Sequence, residues 1–135
     1  MWAVGWSMRL SPHSASTVIL RWTGTAWRRL KSPHPGQSGG DELQGVTAIA
    51  SNITWAVGDY RDPNTAMDRT LVVHWNGKSW THVASPTPPL PAHDPFLVGV
   101  AATSATNAWA VGEYSSGLEN VLILHCNGKA WHRQL

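Results

Sequence analysis

The chain has 135 residues, 13% of them charged, a formal net charge of +2 and no cluster of Lys or Arg, so there is no electrostatic footprint for nucleic acid. Its one cysteine, Cys126, excludes an internal disulfide framework. No stretch approaches the roughly 18 apolar residues of a membrane helix, and residues 1–20 lack the basic-then-apolar order of a signal peptide.

The chain opens on W-A-V-G, from Trp2 to Gly5, and the same tetrapeptide returns as Trp55 to Gly58 and Trp109 to Gly112, after 53 and then 54 residues. Each copy is followed by an aromatic-x-Gly-x-x-Trp run: Trp22 to Trp27, Trp75 to Trp80, and Cys126 to Trp131, where Cys replaces the first Trp. A period near 50 marks repeated β units, with boundaries expected at 1–35, 36–88 and 89–135. In chain order, the first unit supplies strands over 2–6, 17–22 and 26–31. The second supplies 45–50, 54–60, 70–75 and 79–85, each too short for a helix and rich in strand formers. The third supplies 99–103, 108–114, 121–126 and 130–135. The Asn76-Gly77 and Asn127-Gly128 pairs are strong hairpin signals, since both residue types tolerate positive φ.

Within W-A-V-G, Trp55 and Val57 point to one face and Ala56 and Gly58 to the other. Eight of the nine tryptophans fall at recurring phases, and only Trp6, aligned with Asp59 and Glu113, does not. Recurring aromatics read as sheet-to-sheet packing and turn anchors, and Cys126, at a Trp phase, reads as a small buried substitute. The structural signature is therefore Trp2, Gly5, Trp22, Trp27, Trp55, Gly58, Trp75, Gly77, Trp80, Trp109, Gly112, Gly128 and Trp131.

Four antiparallel strands per unit, tight hairpins and one aromatic motif per unit describe an all-β chain of β-propeller blades, two complete and one lacking its first strand. The phrase from Gly99 to Gly112, followed by H-x-N-G-K-x-W from His125 to Trp131, resembles the repeats of bacterial kelch-like and sialidase-like propellers. The turn W-N-G-K-S-W, Trp75 to Trp80, is similar to the Asp-box hairpin of that group, with Asn76 near the place of the missing Asp. The resemblance implies a blade fold in a bacterial secreted or cell-surface protein. Closed propellers need about four to eight blades. The chain is accordingly expected to be part of a longer protein, with assembly of several copies into one ring as the alternative. Its expected partners are thus further blades or other copies of itself, besides a protein or glycan ligand.

One active site does not need three copies, so catalytic residues should break the repeat. Asp59-Tyr60 and Glu113-Tyr114 recur in phase, which favours a structural role. His74 and His125 also share a phase and do not converge as metal ligands would. There is no G-x-S-x-G, no H-E-x-x-H and no phosphate-cradling loop; no catalytic residue, metal or cofactor is assigned. What breaks the repeat is the connection between second and third strands, residues 7–16, 61–69 and 115–119. Together with the Ser-Pro connectors over 32–42 and 85–96, these loops gather His13, His34, Asp41, Glu42, Arg61, Asp62, Asp68, Arg69, His93 and Asp94 on one face. Arg61, Asp62, Asp68, Arg69 and Asp94 are the binding candidates, since variable loops on a regular scaffold usually carry binding. The expected function is a non-catalytic scaffold for protein or glycan. The alternative is part of a glycoside hydrolase or lyase whose catalytic residues lie outside this chain.

Overall fold

A computed structural model describes residues 1–37 and 39–135; position 38, within the connector expected over 32–42, lies outside the described residues. Among the described residues there are eleven strands and no helix. Strands β1 (Trp2–Leu10), β2 (His13–Trp22) and β3 (Trp27–Leu30) form the first sheet. The second comprises β4 (Glu42–Ala50), β5 (Ile53–Arg61), β6 (Asp68–Trp75) and β7 (Trp80–Val83). The third comprises β8 (His93–Ser104), β9 (Asn107–Ser115), β10 (Glu119–Cys126) and β11 (Trp131–Arg133). Among the described residues all pairings are antiparallel between sequence neighbours, so each sheet is a meander, and no strand there joins one sheet to another.

Most strands outrun their expected limits. The largest correction concerns residues 7–16: β1 and β2 stay paired from Trp2↔Arg21 out to Leu10↔His13, so this stretch is a long hairpin closed at Ser11-Pro12. β8 begins at His93, inside the expected connector, and accommodates Pro95 at a register shift between His93 and Phe96. The closing hairpins also differ from expectation. Gly24, Gly77 and Gly128 have positive φ, whereas Asn76 and Asn127 do not. Each asparagine works through its side chain instead: Asn76 Oδ1 accepts the backbone N–H groups of Lys78 and Ser79, both at 2.9 Å, and Asn127 Oδ1 does the same for Lys129 and Ala130. Thr23 Oγ1 takes that place in the first sheet, accepting from Ala26.

The sheets stack face to face because strand alternation gives each an apolar forward face and an apolar backward face. Trp2, Val4, Ile19 and Leu30 of the first sheet pack on Ala56, Leu71, Val73, Trp75 and Trp80 of the second. In the same phase, Trp55, Val57, Val72 and Val83 of the second pack on Ala110, Leu122, Leu124, Cys126 and Trp131 of the third. The forward tryptophan is the knob of each junction. Trp2 lies 5.3 Å from Trp75 and 5.2 Å edge-on from Trp80; Trp55 lies 5.3 Å edge-on from Trp131. Each knob also rests on its cross-strand partner: Arg21 over Trp2, His74 against Trp55 at 4.3 Å and His125 against Trp109 at 4.2 Å. The shared phase of His74 and His125 therefore serves packing, and Cys126 is a buried core residue.

Uniform burial of the signature tryptophans does not follow from their uniform phase. Trp55 is 6% exposed, whereas Trp109 is 43%, Trp22 37% and Trp27 44% exposed, because the outer faces of the end sheets have no neighbour.

The W-A-V-G glycine has a separate cause. Strands β4 and β8 pair alongside it, with register shifts beside the glycine, and their backbone closes on it, so a Cβ at Gly58 would collide with the Glu42 carbonyl and one at Gly112 with the Phe96 carbonyl. Gly5 stands in open space, since β1 is itself the edge of its sheet. Gly58→Ala should therefore cost about 1–3 kcal/mol through backbone displacement, and Gly5→Ala should stay within about 0.5 kcal/mol of the parent. Urea unfolding of the two variants side by side checks this; equal losses would contradict it.

Candidate binding cleft

The β5–β6 loop is held open by charge pairs at its base. Arg61 and Asp68 are the last cross-strand pair, with Nη1 to Oδ1 at 3.1 Å, and Arg69 Nε donates to Asp62 Oδ2 at 2.9 Å. Asp62 also accepts the Asn64 N–H at 2.9 Å, and this bond, aided by Arg69, holds its carboxyl below the usual range. Exposed ion pairs of this kind fix geometry more than stability. Four of the five binding candidates, Arg61, Asp68, Arg69 and Asp94, line one cleft of about 490 Å³, whose other wall is the proline-rich connector. Asp62 lies outside this lining and borders an adjoining hollow beside Tyr60 and His82.

The connector wall is positioned by residues that sequence reasoning passed over. Thr70 Oγ1 sits 2.8 Å from Ser85 Oγ and donates to the Pro86 carbonyl at 3.2 Å, while Ser85 Oγ reaches back to the Thr70 carbonyl. The first sheet repeats the clamp with Thr17, Ser32 and Pro33. The in-phase Ser-Pro start of both connectors was the available signal. Beyond the clamp, three closely spaced prolines and the Ala92 N–H to Pro89 carbonyl bond curl the connector over the cleft. Leu90 and Met67 add apolar surface at its rim. Asp94, in the left-handed region at φ 49°, stands where β8 enters the sheet and borders both the cleft and a smaller hollow.

That hollow is acidic. Glu42 and Asp59 face each other across β4 and β5, and Asp68 and Asp94 complete the rim. Burial, reinforced by Glu42, Asp68 and Asp41, pushes the Asp59 carboxyl up to about 7. Asp41, expected on the loop face, is instead buried at 1% exposure. Its Oδ1 accepts the Gly36 N–H at 2.8 Å, locking the first connector, and burial raises its pKa against that bond. Among the described residues no three His, Cys, Asp or Glu side chains group to hold a metal ion, and no helix is long and apolar enough to cross a membrane.

Comparison with protein-family models, with curated proteins and with solved structures gives no match to this chain.

The Asp59 shift has a definite sign. The folded state keeps the proton that the unfolded chain releases near 3.8, so the contribution of Asp59 to stability is greatest below that value and falls as pH rises to about 7, where its slope ends. Asp59→Asn should flatten this slope and leave the variant more stable than the parent above the window, by on the order of 2 kcal/mol after allowance for the solvent the carboxyl retains. Urea unfolding across the window measures it; parallel pH profiles for parent and variant would contradict it.

Proposed function

We propose that the chain is a run of β-propeller blades acting as a non-catalytic interaction scaffold, binding protein or glycan at the loop face. Three in-phase antiparallel sheets, stacked through the same tryptophan knobs, support the blade reading. The observation that carries the binding reading is the convergence of Arg61, Asp68, Arg69 and Asp94 on one cleft between the variable loop and the connector. Its size lies within the usual range for ligand pockets, and its lining mixes apolar surface with a few charged groups that would set orientation. The walls are fixed by sheet pairing and the Thr70–Ser85 clamp, so little ordering cost attends binding.

Screening the chain on a glycan array and against a displayed peptide library tests the reading. Ligands enriched by the parent should lose about tenfold or more in affinity with Arg61→Ala or Leu90→Asp, a change of about 1.4 kcal/mol. An absence of enriched ligands, or ligands indifferent to both substitutions, would refute it.

A further inference from the structure

The two open faces of the stack are the two halves of a junction that the molecule already makes twice. On the backward face of the first sheet, Val18, Leu20, Trp22 and Trp27 occupy the phases of Leu71, Val73, Trp75 and Trp80, which receive Trp2. On the forward face of the third sheet, Trp109, Val111 and Ile123 occupy the phases of Trp55, Val57 and Val72, which pack on the third sheet's Trp131 face. Both halves are already in the conformation of the buried junctions. The Trp22 and Trp27 rings lie 5.5 Å apart at 56°, close to the 5.9 Å and 44° of Trp75 and Trp80. Trp109 is stacked on His125 as Trp55 is on His74.

The geometry points to a second copy of this chain as the occupant, docked head to tail, with Trp109 of one copy seated against Trp22 and Trp27 of the next. One face is a knob and the other a receptor, so the contact is heterologous, and a docked pair keeps one knob and one receptor free to continue the series. Trp109, Val111, Trp22 and Trp27 are all substantially exposed in the single chain, an apolar area of the kind that marks an interaction surface. Preformed side-chain geometry removes much of the ordering cost of association. This surface lies apart from the loop-face cleft, and its test does not depend on any ligand there.

Sedimentation velocity of the expressed chain at concentrations up to about 100 μM, with the variants Trp109→Glu and Trp27→Glu, decides the matter. The parent should sediment at twice the monomer mass or more, and each variant, lacking one face, should be monomeric with its unfolding transition retained. A one-to-one mixture of the two should double in mass, since the receptor left intact in one meets the knob left intact in the other. If either glutamate variant fails to fold, Val111→Lys and Leu20→Lys remove the same two faces. A monomeric parent, as expected if these faces serve only further sheets of a longer chain, would overturn the proposal. So would a single variant that associates like the parent, since that implies a like-to-like contact.

Discussion

One side-chain contact organises this molecule: an indole projecting from the W-A-V-G strand presses on the face of the following sheet, where closing tryptophans receive it. A three- or four-stranded meander of some 30 to 40 residues cannot bury both of its faces alone. Stacking supplies the missing burial, and edge-to-face indoles add about 0.5–1.5 kcal/mol beyond the area they cover. Other recurrent features serve that contact. His74 and His125 brace their knobs from the next strand, the asparagine turns hold the closing tryptophans, and Gly58 and Gly112 let the paired strands β4 and β8 close on the knob strand.

The same stack determines where variation can accumulate. Loops and connectors at one end contribute no residue to the two hydrophobic clusters, and there the second unit carries paired charges, a proline wall and the perturbed Asp59. The Thr-Ser-Pro clamp ties each connector to the sheet it leaves, giving the loop face a rigid frame. The scaffold and the clamp are thus periodic in the sequence, whereas the charge pairs and the proline run that line the cleft are not.

Much of the scaffold was legible from residue order. W-A-V-G and the closing aromatic run placed each hairpin, and the alternation of Trp55 and Val57 against Ala56 and Gly58 assigned the faces that the structure displays. Periodicity could not tell Trp55 from Trp109, because it marks a residue's phase and not whether a neighbour covers it. It also hid the long β1–β2 hairpin, whose residues 7–16 differ from the other copies yet pair regularly, since backbone pairing asks little of side-chain identity. In the cleft, the grouping of Arg61, Asp68, Arg69 and Asp94 followed from loop position. The burial of Asp41 and the raised pKa of Asp59 depend on which backbone lies above a carboxylate, and residue spacing carries no such information.

The central role of the indole junction is tested most directly by a double-mutant cycle on Trp55 and Trp131, using Trp55→Leu, Trp131→Leu and the pair together in urea unfolding. The two rings meet edge-on across the second and third sheets, so the losses should be non-additive by about 0.5–1.5 kcal/mol. Losses that add to within about 0.3 kcal/mol would mean that the sheets hold together without the knob, contradicting its central role.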